Sequence, residues 1–135
     1  MTDLDDTGLS DVESDLLDPL SYAVASRNRD TIRLVDQALR HRNVALAFQP
    51  VIPAGHTPVV AFYEGLIRIY DDTGRVIPAG DFIHAVEASE TGRRIDATAL
   101  DLGLRELYRQ PDLRLAINMS ARSIGYPPWM KTLRK

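Results

Sequence analysis

Three polar residues stand where apolar strands would be expected to exclude them. Glu64 and Arg68 lie four residues apart inside Val59–Ile69 (V-V-A-F-Y-E-G-L-I-R-I), and Asn118 closes Leu113–Met119 (L-R-L-A-I-N-M). Side chains at i and i+4 of a strand share a face, so Glu64 and Arg68 project together with Leu66 between them. Unpaired charges are costly in such a setting. Glu64 and Asn118 offer hard oxygen donors of the kind Mg2+ or Mn2+ accepts, and Arg68 offers a planar fork suited to phosphate. Gln49, in the apolar run Val44–Ile52, adds an amide for hydrogen bonding. The alternative use of the same residues is internal, a Glu64–Arg68 ion pair with Asn118 finishing a strand end.

The elements that position these residues are legible in the patterning. Residues 19–41 have helical periodicity, with a polar break at Arg27–Asp30 after which Asn28 or Asp30 caps a second segment. Arg33, Arg40 and Arg42 fall among its polar positions. They read as the solvated face of an amphipathic helix in preference to an anion patch. Two strands follow, joined by Pro53–Pro58, whose proline, glycine and lone His56 suit a turn better than a metal site. Asp71 and Asp72 in D-D-T-G resemble a metal pair but also an ordinary turn, the reading favoured here. Pro78–Ser89 is expected to be a helix with Phe82, Ile83 and Val86 inward, broken at Thr91-Gly92. A longer helix is expected from Arg93 to Arg109, with Ala97, Leu100, Leu104, Leu107 and Tyr108 on one side, then the third strand, an irregular stretch and a helix start at Trp129. The first two strands are too closely linked to be parallel, so the sheet is mixed and the class α/β.

The chain has 135 residues, 44% of them hydrophobic and 26% charged, the size and make-up of one ordinary globular domain. It has no cysteine, which removes disulfides and thiolate metal sites and fits a reducing compartment. Neither a secretory signal nor a membrane span is visible, so a cytoplasmic location is expected. Residues 1–18 hold seven acids and no base; those acids supply −7 of the net −3, leaving +4 on the remainder. Residues 1–17 are expected to form an acidic flexible tail ahead of a domain spanning 18–135.

The stretch Y-E-G-L-I-R (Tyr63–Arg68) resembles the signature of the EAL domain family, bacterial phosphodiesterases acting on cyclic di-GMP. Four further stretches agree in order: F-Q-P-V (Phe48–Val51), G-R-V-I-P-A-G-D-F-I (Gly74–Ile83), E-T-G (Glu90–Gly92) and L-A-I-N-M-S-A-R (Leu115–Arg122). The signature departs from the family only at Gly65, where alanine is usual.

The resemblance implies a (β/α)8-type barrel whose first two strands are antiparallel. It implies Glu64 and Asn118 as ligands of Mg2+ or Mn2+, Arg68 as a holder of a cyclic di-GMP phosphate, and Gln49 and Leu66 as pocket lining. The implied reaction is hydrolysis of cyclic di-GMP to pGpG by metal-activated water. A whole barrel takes about 250 residues, so the expectation is a partial barrel with three strands. The family's later glutamates, aspartates and catalytic lysine then fall outside the chain, which by itself is expected to be inactive. A degenerate module serving as cyclic di-GMP receptor or scaffold is the alternative. An exposed barrel edge is expected to favour self-association, and no nucleic-acid polymer is expected as a partner.

Overall fold

The computed structural model describes residues 18–55 and 58–135. The expected acidic tail, residues 1–17, and His56 lie outside the described residues.

Helix α1 spans Pro19–Arg40. Asp18 caps it, its carboxylate accepting from the Leu20 and Ser21 amides at 3.2 and 3.3 Å, and Pro19 occupies the first turn, where a missing N–H costs nothing. The expected break at Arg27–Asp30 does not form. None of those residues is glycine or proline, and on an exposed face their polar side chains leave the backbone ladder intact. The helix ends in a Schellman arrangement: the Asn43 amide donates to the Ala38 carbonyl at 2.9 Å and the Arg42 amide to the Leu39 carbonyl at 3.3 Å. That ending places Arg42 at φ +57°, a left-handed position usually given to glycine.

Strand β1, Val44–Val51, pairs antiparallel with β2, Phe62–Tyr70, as the short connection requires. The second strand begins three residues later than its apolar run suggests, because Val59 and Val60 are exposed and outside the ladder. Strand β3, Val76–Ile77, is a short antiparallel addition that the sequence did not announce; it follows the Asp71–Gly74 turn and pairs with Ile69 and Tyr70. Strand β4, Leu115–Ile117, pairs parallel with β2 at Tyr63–Gly65. The sheet is therefore mixed, with β2 central. The three expected strands are present and a fourth has joined them.

Helices α2, Ala79–Val86, and α3, Glu90–Arg109, connect β3 to β4. Thr91-Gly92 does not break the chain but lies inside the first turn of α3, both residues buried. A Cβ on Gly92 would sit 2.6 Å from the Val86 carbonyl oxygen, so the close approach of α2 and α3 requires glycine there. After β4 come a 3-10 turn, Ala121–Ser123, and helix α4, Pro127–Leu133.

The core lies on one face of the sheet. Val35 and Ala38 of α1, Ile69 of β2, Phe82 and Val86 of α2 and Ile95 of α3 form its buried centre, flanked by Ile32, Leu39, Val44, Ile67 and Ile77. Ile83 and Tyr108, expected inward, point to solvent at 45% and 89% exposure. The inward stripe of α3 runs instead through Gly92, Ile95, Ala99 and Gly103, because small residues let the helix approach the sheet.

Candidate functional site

Strand pleating assigns the two faces of β2. Gly65 and Ile69 are the most buried residues of the strand and lie on the helix side, where a Cβ on Gly65 would stand 2.7 Å from Ile117 Cδ1. Glu64, Leu66 and Arg68 alternate with them and therefore share the opposite face. In the β1 register, Gln49, Ala47 and Ala45 are their respective cross-strand partners. Ala45 and Ala47 keep that face shallow beside Leu66 and Arg68. All five residues singled out from the sequence thus fall in one neighbourhood.

Asn118 stands just beyond β4, which pairs Ala116 with Glu64. Its Nδ2 donates to Glu64 Oε1 at 2.7 Å. Arg68 does not make the internal ion pair. Its Nη1 donates to the Ile67 carbonyl at 3.3 Å, and among the described residues no carboxylate lies within 4.0 Å of it. The face therefore carries a carboxylate held by an amide and, two pleats away, a guanidinium free of acid partners.

A residue not singled out from the sequence anchors the turn that follows Asn118. Asp96 of α3 accepts from the Ser120 amide at 2.8 Å and from Ser123 Oγ at 2.5 Å, and Ser123 is fully buried. Ser120 Oγ in turn accepts from the Arg122 amide at 3.2 Å, closing the 3-10 turn. The signal was present: Asp96 interrupts the stripe of Gly92, Ala99 and Gly103 at helical spacing, and a carboxylate there needs buried donors.

Asp71 is a turn residue. Its Oδ1 accepts from Thr73 Oγ1 at 2.7 Å and from the Thr73 and Arg75 amides at 2.9 Å each. The Thr73 hydroxyl above all, then the Arg75 amide, hold its carboxyl below the usual 3.8. Among the described residues no three acidic or histidine side chains gather closely enough to hold a metal. Glu64 and Asn118 match Mg2+ or Mn2+ in donor chemistry, but two side chains fall well short of the six or so oxygens such ions take. They are at most part of a cation site, and no hydrolytic step is assigned to them alone.

The comparisons agree with this architecture. The FimX EAL domain of Pseudomonas aeruginosa, solved bound to c-di-GMP, is 28% identical with TM-score 0.63, covering 78% of this chain and 44% of its own. The FimX EAL domain of Xanthomonas citri, in complex with c-diGMP, shares the fold at 19% identity and TM-score 0.66, over 84% of this chain and 45% of its own. The PaMucR phosphodiesterase in its c-di-GMP complex shares the fold at 24% identity and TM-score 0.60, over 78% and 44%. The chain thus spans less than half the length of these solved structures. No curated protein matches it significantly. Among the described residues no helix is long and apolar enough to cross a membrane. The EAL domain family matches residues 33–135, which takes in the sheet, helices α2 to α4 and every residue of the candidate face. The chain belongs to the EAL domain family, of which it forms a partial barrel.

Proposed function

We propose that the Glu64 face is the N-terminal portion of a site for cyclic di-GMP, within a module running from Asp18 to the C-terminus behind an acidic tail. The observation that carries this reading is the 2.7 Å contact from Asn118 to Glu64, made on the face that presents Arg68 without an acid partner among the described residues. In this reading Glu64 and Asn118 contribute two oxygens to a Mg2+ or Mn2+ ion, which when bound would polarise a phosphodiester and supply a nucleophilic water. Arg68 pairs with a phosphate of the dinucleotide, and Gln49 and Leu66 line the pocket. A cytoplasmic setting is consistent with the absence of cysteine.

Two measurements separate binding from catalysis. The 135-residue chain, incubated with Mn2+ and cyclic di-GMP and followed by chromatography, is expected to release no pGpG, because it lacks the remaining ligands. Metal-dependent turnover would overturn that part of the proposal. In a nuclear magnetic resonance titration with cyclic di-GMP, the Leu66 and Arg68 amides are expected to shift, and Arg68→Ala to weaken the response at least about tenfold. Shifts confined to other surfaces would remove the site assignment.

The alternative is a receptor or scaffold module without hydrolysis. Binding without turnover, persisting in the protein as its gene encodes it, would establish that reading.

A further inference from the structure

The arginines read from the sequence as a solvated helix face take on a different meaning in three dimensions. The end of α1, the start of β1, α3 and the C-terminal end of the chain line an open, solvent-facing cavity of about 440 Å³. Its lining includes five cations, Arg40, Arg42, Arg94, Arg105 and Lys135, and one carboxylate, Asp101. Asp101 is spent on two of them, with Arg105 Nε at 2.9 Å and Lys135 Nζ at 3.2 Å. Arg94 meets Asp36 at 3.4 Å, yet its Nε is buried without a hydrogen-bond partner. Among the described residues Arg40 and Arg42 have no carboxylate within 4.0 Å.

Like charges gathered from three separate parts of the chain repel one another, so an arrangement of this kind favours an anion that completes it. Arg42 holds φ +57°, where glycine or asparagine would be easier, so a long cationic side chain stands at the one position of the helix ending that disfavours it. This cavity is lined from the helix-covered side of the sheet and shares no residue with the Glu64 face.

We propose that this cavity is a binding site for a small molecule bearing a diphosphate group, distinct from the cyclic di-GMP site. Among the described residues the lining carries four more positive charges than negative, which a diphosphate matches more closely than a single phosphate does. Guanidinium forks bind such oxygens bidentately. The volume lies within the range of small-molecule pockets, ~300–1,000 Å³, and leaves room for an ester group beyond the phosphates.

The probe is inorganic pyrophosphate, titrated calorimetrically into the 135-residue chain with chloride of matched ionic strength as the reference. The unmodified chain is expected to bind it, with affinity falling steeply as salt rises. Arg40→Gln combined with Arg42→Gly is expected to weaken binding at least about tenfold. Because Arg42 already has a glycine-like φ, Arg42→Gly alone is expected to leave the unliganded melting temperature the same or higher while still reducing affinity. Arg33→Gln, on α1 but outside the cavity, is expected to leave pyrophosphate binding unchanged. Absence of pyrophosphate binding would overturn the proposal. So would equal loss in the Arg33 variant, or undiminished binding in the double variant. Since the two sites share no residue, failure here leaves the cyclic di-GMP reading untouched.

Discussion

Glu64 meets Asn118 because a parallel ladder sets Ala116 beside Glu64 and the chain then carries Asn118 just past the strand end. Asp96 fixes the turn that follows, accepting from Ser120 and Ser123. Asp96→Ala leaves the fully buried Ser123 hydroxyl without its acceptor and is expected to cost about 1–3 kcal/mol of stability in urea unfolding. Asp96→Asn keeps an acceptor oxygen and is expected to cost less. Equal losses in the two variants would mean that the turn is held by packing alone. Gly65, the departure from the family signature, has its own physical partner. Ile117 Cδ1 would lie 2.7 Å from a Cβ on Gly65 and 2.9 Å from one on Gly103, so this isoleucine fills the space both glycines leave. Gly65→Ala meets only the end of a flexible side chain and is expected to change stability by less than about 1 kcal/mol. Gly103→Ala also meets Ile117 Cγ1 at 3.0 Å and is expected to cost about 1–3 kcal/mol, with partial recovery on adding Ile117→Val. No recovery in the double variant would show that Ile117 is not the obstacle.

At the scale of elements, the strands were legible because their apolar, β-branched runs are separated by turn formers. The antiparallel order of the first two followed from the length of their link. The placement of Glu64, Leu66 and Arg68 on one face needed only the period of a strand. What the sequence hid depends on tertiary contact. The two residues of β3 are too few to carry a period, and Thr91-Gly92 has the look of a breaker although its buried glycine is what admits α3 against α2. Asp96 left a trace in the helical stripe, but its partners did not, since its donors lie on a turn 24 and 27 residues away. Two neighbouring large apolar residues of α2, one inward and one in solvent, illustrate the difference in worth. Phe82 is 2% exposed and Ile83 45%, so Phe82→Ala is expected to cost about 3–5 kcal/mol and Ile83→Ala less than about 1. Turns and caps add a pH dependence. Hydrogen bonding holds the Asp18 and Asp71 carboxyls below their usual 3.8, from Ser21 above all in the first case and Thr73 in the second. A depressed carboxylate stabilises the fold fully above its unfolded value and loses that contribution as pH falls through the folded one. The melting-temperature gap between the unmodified chain and Asp71→Asn is therefore expected to narrow as pH drops below about 4; a constant gap down to acid pH would refute that assignment.

At the scale of the molecule, β2 is the only strand paired on both sides, and β1 and β4 each present a free edge among the described residues. Beside them Phe48, Ile52 and Phe62 are 41%, 50% and 37% exposed. Open edges beside apolar surface favour association. Sedimentation of the chain is expected to show species above 15.1 kDa, and a concentration-independent monomer would contradict this. The same open architecture explains why the Glu64 face offers only part of a site. The most direct test of that face is paramagnetic broadening by Mn2+, read residue by residue in the nuclear magnetic resonance spectrum of the 135-residue chain. The Asn118 side-chain amide and the Gly65 backbone amide are expected to broaden first, and the effect to disappear in Glu64→Gln. Broadening centred elsewhere, or unchanged without the Glu64 carboxylate, would contradict the assignment of Glu64 and Asn118 as a shared cation site.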